Sequence, residues 1–335
     1  REKLGLYLSL GGACITLGPA FGPVISGLMC TLFGWRAVFV VPLVGGIVVA
    51  AAGVKLVQNV GERSNATLDI LSVVLLAAGI TAFVYSVGEF STNLIAGIAT
   101  LFAAIVLLGL FAARQLKLEH PVLNVRPMAS VRFWPACLLV VVSMMTTFSM
   151  SVLLPLYFEG AYGMTALVAG LLILPAIACN AVTSIVGGRV MDARGAWPLL
   201  PVGFALIAVG QTVISMTAAS MNIGVVVALT VVVYAGVGLV LSPSQTAGLE
   251  TLPVAEHPHG TALLNTWNMI AASFGPSLFI GLLSSSAATA GAAGVATDVA
   301  QAIGFAAAVR VAAVIAVVGF VVSVVYARRE SHMSH

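Results

Sequence analysis

The sequence predicts an all-α integral membrane protein, a helical bundle with about ten transmembrane helices, and three observations predict it. Of 335 residues, 60% are hydrophobic and 7% charged, against roughly 25% charged in soluble domains. Apolar runs of about 20 residues, the length a helix needs to cross the hydrocarbon core, recur between charged or turn-forming breaks. The basic residues alternate with those runs. If residue 1 is cytoplasmic, Arg1, Lys3, Lys55, Arg63, Arg114, Lys117, Arg126, Arg132, Arg189, Arg194, Arg328 and Arg329 fall inside, and only Arg36 and Arg310 fall outside. That division of the 14 Lys and Arg follows the positive-inside rule for an even number of spans with both ends cytoplasmic. The apolar mass is Val, Leu, Ala, Ile and Gly, which suits helices in lipid better than the ten-residue alternation of an outer-membrane barrel.

The runs lie near residues 4–29, 35–57, 68–88, 92–113, 133–157, 165–188, 197–219, 222–248, 261–286 and 302–327. The first carries Gly18-Pro19-Ala20-Phe21-Gly22-Pro23-Val24-Ile25-Ser26-Gly27. Gly18, Gly22 and Ser26 recur every four residues, so on a helix they form a flat stripe against which another backbone can pack. Pro19 and Pro23 bend that helix, which neighbouring helices tolerate in lipid by re-satisfying the freed carbonyls. Residues 58–67 form a polar break after the second run, and residues 114–132 form the longest charged connection, a cytoplasmic linker. His257-Pro258-His259 is too short and isolated for a metal site and reads as a cytoplasmic loop. The four cysteines, Cys14, Cys30, Cys137 and Cys179, lie singly in or beside apolar segments without a nearby His, so they read as buried structural thiols and no metal or cofactor is implied.

Isolated polar residues on apolar spans are costly in lipid and usually point inward, so they are the candidates for a cargo cavity. Asn180 and Ser184 share one face of the sixth run. Tyr234, Ser242 and Gln245 lie on roughly one face of the eighth, and Asn265 and Asn268 on one face of the ninth. Gln211 stands alone on the seventh. Met144, Met145 and Met150, with Phe148, offer either an adaptable apolar surface or ordinary packing. Asp69, Glu89, Glu159, Glu250 and Glu256 fall at span ends or in loops, so no carboxylate marks a buried proton site; Glu159, near the outer mouth, is the remaining candidate.

Several of these segments resemble one family. Gly18-xxx-Gly22-Pro23-xx-Ser26-Gly27 resembles the antiporter motif in the fifth helix of drug:proton antiporters of the major facilitator superfamily, and Gly34-Trp35-Arg36-Ala37-Val38-Phe39 is similar to the opening of the sixth helix in their fourteen-helix branch. Glu119-His120-Pro121-Val122-Leu123, Leu154-Pro155-Leu156-Tyr157-Phe158, the 169–175 stretch and Gly260-Thr261-Ala262-Leu263-Leu264-Asn265-Thr266 resemble later segments of that branch in order and spacing. Gly188-Arg189-Val190-Met191-Asp192-Ala193-Arg194-Gly195 is similar to the second copy of the superfamily's cytoplasmic loop motif, with Ala193 where a basic residue is usual; Ser26 likewise replaces a usual Gly.

The resemblance implies that the chain holds helices five to fourteen, with four helices, the first-helix acid and the fourth-helix Arg lying upstream. Residues 1–57 would be the last two helices of the N-terminal half, 58–118 an inserted helix pair with its linkers, and 119–335 the C-terminal six-helix half. Arg189 and Arg194 would then gate or anchor the cytoplasmic side, with Asp192 capping a helix end or pairing with an Arg across the halves. The implied activity is proton-coupled export of drugs or other amphipathic small molecules across a bacterial cell membrane by alternating access. Its partners would be that cargo, protons and the bilayer, not nucleic acid. A carrier for one metabolite is the alternative. An enzyme is disfavoured: no phosphate-binding loop, acidic metal cluster or nucleophile with a positioned base is visible.

Overall fold

The computed structural model describes residues 22, 24–56, 69–89, 93–118, 121–197, 199–220 and 222–331. Its described secondary structure is helical. A short apolar helix α1 (Val24–Phe33) is followed by a 3-10 turn (Trp35–Phe39) that leads into α2 (Val40–Leu56). Then come α3 (Ile70–Glu89), α4 (Leu94–Lys117), α5 (Phe133–Tyr162), α6 (Ala166–Arg194), α7 (Leu199–Thr217), α8 (Ile223–Glu250), α9 (His257–Ala292) and α10 (Thr297–Ser331). Among the described residues nine helices are long and apolar enough to cross a membrane. Of the expected ten spans, the first keeps only its end, α1, and its earlier residues lie outside the described residues. The chain is a multi-pass membrane protein.

The helices start and stop for local reasons. Thr165 and Asn222 accept hydrogen bonds from the third residue of α6 and α8, and Asn93 does so for α4, which satisfies one orphan N–H at each end. Gly163 at the end of α5 and Gly195 at the end of α6 have φ of 64° and 73°, a left-handed turn that a Cβ would strain. The ninth span departs from its expected bounds: His257-Pro258-His259 is not loop but the first turn of α9, with Pro258 in an opening position where its missing N–H costs nothing. The ring of His257 contacts the carbonyl of Leu252 at 3.1 Å, folding the α8–α9 connection back on itself.

Helices α5 to α10 form the packed body. In lipid the apolar tails gain little by leaving the bilayer for the bundle, so van der Waals fit between close backbones has to hold the helices together. Small residues supply the close approaches. A Cβ on Gly236 would stand 2.6 Å from the Gly203 carbonyl oxygen, joining α8 to α7, and one on Gly275 would stand 3.2 Å from the Met145 Cα, joining α9 to α5. Large side chains fill the layer between. Tyr157 is fully buried, stacks on Phe305 with centroids 4.2 Å apart, and donates its hydroxyl to the Ala218 carbonyl at 2.8 Å, tying α5 to α10 and to the end of α7. Met145 and Met150 are buried in this core, so of the methionine patch only Met144, with Phe148, keeps an open side.

The helices alternate in direction. Gly27 meets Ala166, and Gly160 meets Gln301, at the end that the charge pattern assigns to the outside; Asp69 meets Arg114, and Gly248 meets Ala136, at the other. Asp69 was expected simply to end a span, but its carboxylate accepts Arg114 Nε at 2.7 Å and Nη2 at 3.0 Å, and the Ser72 hydroxyl at 2.6 Å. These bonds, the Arg114 guanidinium first, lower the Asp69 pKa from 3.8 to about 2. A depressed carboxylate contributes stability above its unfolded value of 3.8 and loses it as pH falls through about 2. The melting difference between the wild type and Asp69→Asn should therefore stay constant between about pH 5 and about pH 8. A difference that vanishes at the acidic end of that window would overturn the pairing.

Candidate functional site

The resemblance implies a carrier, whose pathway would be lined by surfaces that suit neither lipid nor a dry core, so the open faces of the bundle are where its lining is sought. On α10 the open face is a valine ridge of Val311, Val314, Val317, Val318, Val321 and Val325, which suits lipid. On α9 it is mixed: Thr261, Asn265, Ser273, Ser284, Ser285 and Thr289 are exposed alongside Ala262, Met269 and Ala288. The hydroxyls of Thr261, Ser285 and Thr289 bond carbonyls one turn back on their own helix, which removes most of their cost in lipid. The Asn265 amide has two donors and an acceptor and finds no such backbone substitute. It is the residue that marks this face as facing water, cargo or another helix.

The neighbouring helices carry the other candidates. On α5, Met144 and Phe148 are half-buried and Glu159 is exposed; their spacing places them along one stripe of the helix. On α8, Gln245 is half-buried and Ser242 exposed. Tyr234 is buried, and its hydroxyl donates to the Thr147 carbonyl of α5 at 3.4 Å. Asn180 on α6 donates its amide to the Tyr234 carbonyl at 3.2 Å, while the backbone around Asn180 and Ser184 presses on Gly238. These three residues thus join α5, α6 and α8 by the interhelical contacts that isolated polar residues commonly make in membranes.

Asn265 and Asn268, expected on one face, are separated. Asn268 is buried on the side of α9 that also carries Leu264, Ala271 and Gly275, because three residues along a helix turn the side chain by about 300° and the packed contact is narrower than the remaining arc. Its Oδ1 lacks a partner, as do both amide atoms of the fully buried Gln211 and the hydroxyls of Ser149 and Ser244. Ser149 and Ser244 were not singled out from sequence: a lone serine in an apolar helix usually bonds its own backbone, so nothing in its position distinguishes these two.

The loop motif is an exposed helix end. Arg189 and Asp192 are exposed and Gly188 half-buried; the motif's Arg194 is the last residue of α6, and its Gly195 ends the helix with its N–H on the Met191 carbonyl at 2.8 Å. Of the two roles expected for Asp192, a cap on a helix end or a pair with an Arg across the halves, the cap does not fit. Asp192 stands in the last turn, where carbonyls need donors and a carboxylate supplies none. Of the antiporter motif, Gly18, Pro19 and Pro23 lie outside the described residues. Ser26 is half-buried. Among the described residues a Cβ on Gly22 would meet nothing within 4 Å, whereas one on Gly27 would stand 2.5 Å from the Ala166 carbonyl oxygen and 3.0 Å from the Leu167 Cα. Among the described residues the close approach is at Gly27, five residues from Gly22 and about 140° around the helix from it, so it lies off the stripe of Gly18, Gly22 and Ser26.

Comparison with known proteins agrees with this architecture. The sequence is 31% identical over 287 residues to the lincomycin resistance protein LmrB of Listeria monocytogenes, a match covering 85% of this chain and 61% of LmrB, so the chain spans about three fifths of that relative's length. It is 32% identical over 327 residues to the uncharacterized MFS-type transporter YcnB of Bacillus subtilis, covering 96% of this chain and 68% of YcnB. It is 24% identical over 281 residues to the riboflavin transporter RibZ of Clostridioides difficile, covering 83% of this chain and 60% of RibZ. The profile of the Major Facilitator Superfamily matches residues 1–276. With its alternating helices, small-residue crossings and loop motif at the end of α6, the chain belongs to the Major Facilitator Superfamily.

Proposed function

We propose that the chain is the larger part of a proton-coupled secondary transporter that exports drugs or other amphipathic small molecules across the cytoplasmic membrane by alternating access. The observation that carries this reading is the open face of α9, where Asn265 and a row of hydroxyl residues stand uncovered on a helix of membrane length. That surface suits the wall of a wet pathway between two halves, and the adjoining Met144 and Phe148 of α5 offer an adaptable apolar contact for cargo of varied shape. The drug class is supported by the resistance relatives, and export by the likeness of the 18–27 segment to the antiporter motif. Arg189, Asp192 and Arg194 would act at the cytoplasmic gate, and Gln245, Gln211, Asn180, Ser184, Tyr234 and Asn268 would line or support the cavity, with Glu159 the remaining carboxylate on an open stripe. Both ends of the chain would then be cytoplasmic, and transport, not an enzymatic reaction, would be its activity.

Cells making the complete gene product should retain less ethidium and less lincomycin than control cells, and a protonophore should remove the difference. Asn265→Leu should lower export about tenfold with unchanged membrane level, the loss of one hydrogen-bonding contact with cargo being worth about 1.4 kcal/mol. The similarity to a riboflavin transporter supports a second reading, a carrier for a specific metabolite. Unchanged accumulation of cationic and neutral dyes and of lincomycin, together with altered flavin transport, would favour that reading over drug export.

A further inference from the structure

The hairpin α3–α4 interrupts the chain between α2 and the six-helix body, and its mechanical allegiance decides whether it can serve as a hinge. The three helices treat the body differently. No residue of α2 is buried among the described residues, and only Ala52 and Gly53 are half-buried. The hairpin, by contrast, is locked at both levels of the membrane. Near the middle, Phe83 of α3 stacks on Phe274 of α9, with ring centroids 5.0 Å apart and planes 19° from parallel. At the Asp69–Arg114 end, Gln115 of α4 is 1% exposed and does two things at once. Its Nε2 donates to the fully buried Ser72 hydroxyl of α3 at 2.6 Å, and its Oε1 accepts the backbone N–H of Leu123 at 3.0 Å. Ser72 in turn donates to Asp69, which holds Arg114.

This chain of bonds fastens the connection that leads out of α4. Leu123 is itself buried in a cluster with Phe111 of α4, Phe133, Cys137 and Val140 of α5, and Leu263 and Leu264 of α9. A buried amide that satisfies a backbone N–H on one side and a hydroxyl on the other cannot give up either bond without stranding polar groups in an apolar setting. The linker between hairpin and body is therefore pinned, not slack.

We infer that the α3–α4 hairpin is clamped to the α5–α10 body through Gln115 and the Phe83–Phe274 stack, and that it moves with that body as one unit during transport. The motion itself rests on the alternating-access reading above. The test is a pair of distance measurements on the complete gene product in nanodiscs, with Cys14, Cys30, Cys137 and Cys179 replaced. Spin labels at Leu110→Cys and Val318→Cys report hairpin to body, and labels at Val48→Cys and Val318→Cys report α2 to body, each with and without cargo and at acidic and alkaline pH. The hairpin–body distribution should keep its mean under all conditions while the α2–body distribution shifts. A hairpin–body shift as large as the α2–body shift overturns the clamp. If both distributions stay fixed, alternating access fails, and the clamp is judged by Gln115→Leu, which keeps volume but drops both bonds. That variant should broaden the hairpin–body distribution in every condition, and an unbroadened distribution overturns the clamp by itself.

Discussion

Gly27→Leu is expected to abolish export while leaving the protein at its normal level in the membrane. At this position a Cβ would stand 2.5 Å from the Ala166 carbonyl oxygen, 2.8 Å from its carbonyl carbon and 3.0 Å from the Leu167 Cα. All three are backbone atoms of the first turn of α6, so no side-chain rotation relieves the overlap and one helix has to move off the other. Overpacking of this kind costs about 1–3 kcal/mol even in soluble cores that can adjust. In the proposed cycle α1 belongs to one half and α6 to the other, so the displaced contact is the one across which the halves close. Export should fall by more than about tenfold, the equivalent of roughly 1.4 kcal/mol. Quantified ethidium export in cells, with membrane-fraction levels of the variant, decides it; equal activity of Gly27→Leu and wild type would remove the seal.

Gly238→Leu should act earlier, on folding. A Cβ there would overlap Thr183 Oγ1 and would stand 2.6 Å from the Asn180 carbonyl oxygen and 2.9 Å from the Ser184 N–H nitrogen. One turn away on α6, Gly187 faces Gly238 in return, with 3.2 Å between its Cβ position and the Gly238 carbonyl oxygen. Helices α6 and α8 thus cross with backbone against backbone, and the Asn180 to Tyr234 hydrogen bond forms only at that spacing. Prising the crossing open forfeits that bond and the packing of both helices, a loss of at least about 3 kcal/mol. The purified variant should melt at least about 5 °C lower than wild type, or fail to give a monodisperse protein. Unchanged melting would mean that the crossing is not where the body is held together.

How much of this was legible in the sequence differs by feature. The spans were legible because lipid imposes length and composition on every crossing, and the described helices follow the expected runs closely. Several ends run past them: α6 continues to Arg194, α10 starts at Thr297 and α9 begins at His257, the last because proline is accepted in a first helical turn. Faces were legible only in part. Periodicity pairs Asn265 with Asn268, yet the packed side of α9 divides them, since the boundary of a contact depends on where α5 and α10 lie. The Asp69–Arg114 pair joins residues 45 apart in sequence, and Gln115 reads as an ordinary polar residue at a helix end.

By itself the sequence determined that this protein crosses the membrane many times, because hydration and chain length are local properties that each segment carries alone. Only the tertiary structure decided which glycine meets another helix's backbone, which asparagine is exposed, and that the α3–α4 hairpin packs on the six-helix body. Those outcomes rest on distances of a few ångströms between segments far apart in the chain, and a glycine or an asparagine has the same letter whether a backbone lies 2.5 Å away or no described atom lies within 4 Å.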